Sequence, residues 1–185
     1  MASAHLYFPG DRLSAAELAS ACLDGHLVPL GEAYIPADAV ETPALRAGSL
    51  APLLGAGLAA TRLSAAWVHG ATAWPPARHR VQRVGTQRLH HVIDRRLDFH
   101  DTPIPARDRM LLGGVWTTTP ARTLADLLRV GTGAELMAAR ALFDAGTVTA
   151  TQALDCLAAS GPLPGKRDAR ELLRAWDRLQ PDVTR

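Results

Sequence analysis

The sequence predicts an α+β chain, helix-rich and built around a small, mostly antiparallel sheet. Three observations carry that reading. Amphipathic stretches with N-caps and glycine stops lie towards both ends, an arginine-laden pair of β-like segments occupies 78–96, and a Gly113-Gly114 pair separates two extended runs. There is no internal repeat and no low-complexity tract.

Each element has a local cause. Ser14 with Glu17 three residues later forms a capping box, Leu18, Ala21 and Cys22 give the next helix an apolar face, and Gly25 stops it. Two short strands, 26–30 and 33–35, turn around Gly31 and end at Pro36. Helix, glycine, hairpin and proline give 1–41 the form of a reduced winged-helix-like unit, reduced because a full helix-turn-helix needs more helix before Ser14.

The remainder, 42–185, reads as a second and larger domain. Pro43 opens a helical region carrying Leu45, Leu50, Leu53 and Leu54, punctuated by Gly55 and Gly57, and a further helix runs from Ser64 to Gly70. The turn-rich bridge "TAWPPARHR" leads to Val81, Val84, Val92 and Ile93, which predict two strands around Gly85. Gly113-Gly114 is a two-residue hairpin signal, with strand at 115–118 after it. Thr119 then caps a helix whose first position is Pro120. Ala121, Leu124, Leu127 and Leu128 make its apolar face, while Arg122, Asp126 and Arg129 fall together on the other side. Helices at 134–145, 149–159 and 167–179 follow, the last two separated by the proline-bearing segment 161–165.

The charge is uneven. Residues 1–75 carry three arginines against six carboxylates, whereas the rest carries 17 basic and 12 acidic residues; the net +2 hides a switch from −3 to +5. The positive charge concentrates at Arg78, Arg80, Arg83, Arg88, Arg95 and Arg96, which face only Asp94 within their own segment, so an anionic partner is expected there. Cys22 and Cys156 lie far apart without a CxxC partner, which predicts buried thiols in a reducing cytoplasm. No apolar run approaches the roughly 18–20 residues of a membrane span, and the N-terminus lacks the basic-then-apolar pattern of a leader.

The order "LSAAWVHG", "WPP", arginine strands, glycine turn and "VWTTTPARTLADLLRV" resembles the AbiEi family of antitoxins from type IV toxin-antitoxin systems, well over 64–130 and more loosely over 14–36. The resemblance implies an N-terminal winged helix that binds the operon's own promoter, a C-terminal domain with antitoxin activity, and a nucleotidyltransferase-like toxin as partner. The "TTPARTLADL" corner also occurs in related proteins that append a nuclease domain. One departure matters: residues 13–45 contain no lysine or arginine but five carboxylates, which a DNA backbone repels. Any promoter contact is therefore expected at the 78–96 arginines, doubled if the chain forms a homodimer.

Chemistry finds less support. His79, His90, His91 and His100 lie near Asp94, Asp98 and Asp101, but neighbouring strand residues point to opposite faces, and no metal site is expected. Arg122 and Asp126 read as an exposed i,i+4 ion pair that orients the corner helix, and Thr117, Thr118 and Thr119 as strand end and cap. Thr119, Pro120, Arg122, Leu124, Asp126 and Leu128 thus form a structural motif. Neither GxxxxGK[ST] nor GxGxxG occurs, so no cofactor is expected. Trp67 and Trp116 read as core and Trp74 as an exposed contact; the amphipathic helix ending near Trp176 packs on its own domain. The expectation is a binding protein without catalytic residues, an antitoxin or antitoxin-like transcriptional regulator. The alternatives are a protein-interaction module without DNA affinity and a degenerate nuclease.

Overall fold

The computed structural model describes residues 5–86 and 94–179 and has α+β architecture. Helix α1 (Ala15–Leu23) starts on the expected capping box: the Ser14 hydroxyl accepts from the Glu17 N–H and the Glu17 carboxylate accepts from the Ser14 N–H. The hairpin β1 (Leu27–Leu30) and β2 (Ala33–Pro36) follows. Upstream of Ser14, where a reader motif would place another helix, Tyr7 pairs with Tyr34 in an antiparallel bridge along the outer side of β2. The N-terminal stretch is a helix and a two-stranded hairpin plus an extended arm.

Helices α2 (Pro43–Ser49) and α3 (Ala51–Leu54) precede β3 (Leu58–Ala60), a strand within the stretch that reads as helical from sequence. Helix α4 (Arg62–Val68) begins two residues before Ser64. The strands β4 (His79–Arg83), β5 (Leu97–His100), β6 (Arg109–Leu112) and β7 (Val115–Thr118) complete a five-stranded sheet of order β5-β4-β3-β7-β6. The sheet is mixed rather than mostly antiparallel: β3–β4 and β6–β7 run antiparallel, β3–β7 and β4–β5 parallel. The parallel contacts arise because β3 lies between β4 and β7, and because β4 finds its second partner at 97–100; Val92 and Ile93 lie outside the described residues.

The β6–β7 turn is the predicted two-residue one. Gly113 and Gly114 both have positive φ, and a Cβ on Gly113 would sit 2.1 Å from the Ala44 carbonyl oxygen of α2, so only glycine permits this approach. Helix α5 (Pro120–Val130) ends on left-handed Gly131, and α6 (Gly133–Asp144), α7 (Ala150–Ala159) and α8 (Lys166–Leu179) pack around it.

Two apolar clusters hold the chain together. The first joins Leu6, Leu30 and Ile35 to Leu50, Leu54, Trp67, Val81 and Val115, so the hairpin and the sheet share one core. No break in packing occurs at 41/42, where sequence reading divides the chain. The second cluster packs Leu124, Leu127, Leu142, Phe143, Leu157 and Leu173 from α5 to α8. Helix α4 bridges them, giving Trp67 to the first and Ala66 to the second.

Candidate binding surface

Strand β4 places His79, Val81 and Arg83 on one face and Arg80 and Gln82 on the other. Its parallel register sets Arg80 opposite Asp98 and Gln82 opposite His100, and one step further Arg83 meets Asp101. The ion pairs measure 3.0 Å for Arg80–Asp98 and 2.7 Å for Arg83–Asp101. Arg96 is held by Asp94 at 2.7 Å and by Glu32 from the β1–β2 turn. The Arg96 hydrogen bonds hold the Asp94 carboxyl at about 2, and Asp94 and Glu32 raise the Arg96 guanidinium in return. Arg78 is exposed and donates to the Leu97 carbonyl at 2.7 Å, Arg95 is exposed without an ion pair among the described residues, and Arg88 lies outside them.

Three of the five described arginines of this segment thus meet four of the chain's own carboxylates, and Arg80 and Arg83 lie on opposite faces of β4. That is a poor platform for a polyanion. The sequence carries one signal for this pairing: Arg80/Asp98 and Arg83/Asp101 share a separation of 18 residues, as a parallel register demands. Glu32 gives no such cue, because only the fold brings the β1–β2 turn to the start of β5.

At the corner, the Thr119 hydroxyl accepts from the Arg122 N–H and Pro120 opens α5, as expected. Leu124 and Leu128 are buried. The polar stripe is buried too, unlike the exposed pair expected from sequence. Arg122 bridges Asp108 and Asp126 at 2.7 Å each, and Arg129 adds a 3.0 Å contact to Asp126; no side chain of the four is more than 14% exposed. The reason is non-local. Asp108, in the 3-10 turn Ala106–Asp108, is carried over the start of α5 while its carbonyl accepts from the Thr119 N–H. The buried Thr118 and Thr123 hydroxyls bond each other at 2.7 Å. A cleft of about 500 Å³ opens beside Asp108, Thr119, Gln152, Asp155 and Cys156. Burial and Asp108 push the Cys156 thiol up to about 11, so it stays protonated at neutral pH. Among the described residues no group of three or more His, Cys, Asp or Glu side chains is placed to hold a metal ion.

Two surfaces remain open. Between the end of α4, the 71–76 bridge and α6 lies a groove of about 450 Å³ lined by Leu63, Ala71, Trp74, Pro76, Met137 and Ala141, with Trp74 80% and Met137 76% exposed. The exposure of Trp74 follows the sequence reading, whereas Trp116 is half-buried beneath the Arg109 guanidinium, 5.0 Å from its ring centre, rather than in the core. Met137 gives no sequence cue, since it shares α6 with core alanines. The second surface is the outer side of α8, where Arg170 and Arg174 have no hydrogen-bond or ion-pair partner among the described residues. Compared with known families and with curated proteins, the chain matches no family model and no curated sequence.

Proposed function

We propose that the chain acts by binding, as an antitoxin or antitoxin-like regulator, and that its protein partner docks at the Trp74 groove. The observation that carries this reading is an indole left 80% exposed over an apolar groove, beside an exposed methionine. An exposed tryptophan with apolar neighbours supplies the kind of anchor on which protein interfaces concentrate their energy. The resemblance over 64–130 includes Trp74 and suggests a nucleotidyltransferase-like toxin as the occupant. Promoter DNA is the second expected partner, although the strand arginines are neutralised by Asp94, Asp98, Asp101 and Glu32.

Calorimetric titration of the purified chain with the product of the adjacent reading frame tests the toxin contact. A hot-spot loss of at least about 2 kcal/mol predicts that Trp74→Ala weakens the complex roughly thirtyfold or more, with unchanged thermal unfolding. Absence of a complex, or equal affinity of Trp74→Ala and the parent chain, overturns the reading.

A further inference from the structure

Helix α8 buries Ala169 and Leu173 against the second core, with Leu172 and Trp176 partly covered beside them. Opposite this face, Arg167, Arg170, Arg174 and Arg178 recur at steps of three, four and four. They form one edge about 16 Å long at 1.5 Å per residue. Arg167 is paired with Glu171 at 3.0 Å, while Arg170 and Arg174 are unpaired among the described residues. Beside them a shallow cleft of about 520 Å³ is lined by Pro162, Leu163, Lys166, Arg167, Arg170, Arg174 and one acid, Glu171. Lys166 spends its ammonium on the Ser160 and Gly161 carbonyls at 2.6 and 3.2 Å, closing the end of α7 without using up an acid.

The edge is held in place. A Cβ on Gly165, whose φ is +71°, would lie 2.2 Å from the Arg129 carbonyl oxygen, and Arg129 Nε donates to the Pro164 carbonyl at 3.1 Å. The start of α8 is therefore clamped to the end of α5, and the arginines stand on a fixed rod.

We propose that this edge of α8, with the adjoining cleft, binds the phosphate backbone of duplex DNA. This deepens the regulator reading by giving the promoter a surface other than the wing or the β4–β5 arginines, and it is independent of the toxin contact. Charge complementarity selects the occupant. Each strand of a duplex offers a phosphate about every 3.4 Å of axis, so an edge of this length spans four or five of them. An acidic protein would need an apolar patch among the charges to make an interface core; the stripe 167, 170, 171, 174 and 178 has no apolar residue and the cleft adds only Pro162 and Leu163. Guanidinium groups suit phosphate oxygens through two-pronged hydrogen bonding.

The test is fluorescence anisotropy of a labelled duplex titrated with the full chain at a series of salt concentrations. At about −0.9 per phosphate contact, three to four contacts predict a slope near −3 for log affinity against log salt. Arg170→Ala/Arg174→Ala should reduce the slope by about two and weaken low-salt binding at least tenfold, while Arg170→Lys/Arg174→Lys retains most of the slope; circular dichroism shows whether each variant is folded. The proposal is overturned by no duplex binding at low salt, or by an unchanged slope in the folded alanine variant. It is equally overturned if Arg78→Ala/Arg95→Ala removes the slope instead, or if the alanine pair abolishes toxin binding and leaves duplex binding intact. Because the toxin titration is separate, failure here is distinguishable from failure of the Trp74 contact.

Discussion

Replacing Arg122 with methionine removes the cation that joins two buried carboxylates. Asp108 and Asp126 have side chains 9% and 8% exposed, and Arg122 lies 2.7 Å from both. After the change Asp126 still has Arg129, but Asp108 keeps as cation only Arg107, at 3.7 Å and largely in water, beside the weak Cys156 thiol donor at 3.9 Å. Stripping one partner from a buried pair costs about 3–5 kcal/mol, chiefly because a charge is left without compensation. With a urea dependence of about 2 kcal/mol per molar, the unfolding midpoint should fall by roughly 1.5–2.5 M. Adding Asp108→Asn neutralises the stranded carboxylate and leaves Asp126 paired with Arg129, so the double variant should recover at least about half of that loss. Urea unfolding followed by circular dichroism measures all of these. The reasoning is refuted if Arg122→Met stays within about 1 kcal/mol of the parent, or if the double variant is no more stable than the single one.

Three further outcomes follow from the same packing. Leu124→Ala and Leu128→Ala should each lose about 2–5 kcal/mol in urea unfolding, since both side chains are buried in the second core. His69, whose ring donates to the Thr118 carbonyl at 2.8 Å, and His79 both titrate below 6.5 in the folded chain, through burial first and, for His79, the nearby Arg96. The unfolded chain takes up these protons at the ordinary value, so stability is complete above about pH 6.5 and declines as pH falls from there towards the folded values; a urea midpoint that does not fall between pH 7.5 and 5.5 contradicts this. Asp98→Asn breaks a partly exposed pair, so it should cost no more than about 1 kcal/mol, and it should raise affinity for duplex DNA at low salt by removing the carboxylate that pairs Arg80. Unchanged DNA affinity in this variant shows that Asp98 does not mask Arg80.

Helix α1, the Gly113-Gly114 hairpin and the run from α5 to α8 were legible because each is written locally, in a cap, a glycine or an apolar period. Strand β3 was not. Its three residues, Leu58 to Ala60, are buried without alternation, and its two alanines suit a helix as well as a strand. It is nevertheless the strand that decides the sheet order. The candidate surfaces divide in the same way: Trp74 declared itself by its proline-flanked bridge, but the masking of Arg80, Arg83 and Arg96 depends on pairings 64 residues apart for Glu32 and 18 for Asp98 and Asp101. The burial of Arg122 depends on Asp108, fourteen positions away on another element. Composition located the positive charge correctly and could not say which part of it was already spent.

The shared first core also limits how this chain can be rearranged. A module that passes between genes must carry its own interior, yet Leu30 and Ile35 use Leu50, Leu54 and Trp67 as theirs. Cutting at 41/42 would expose apolar surface on both pieces at once. The β1–β2 hairpin is therefore tied to the sheet through a common interior, and a different segment joined to residues 42–185 has to cover the same apolar side chains.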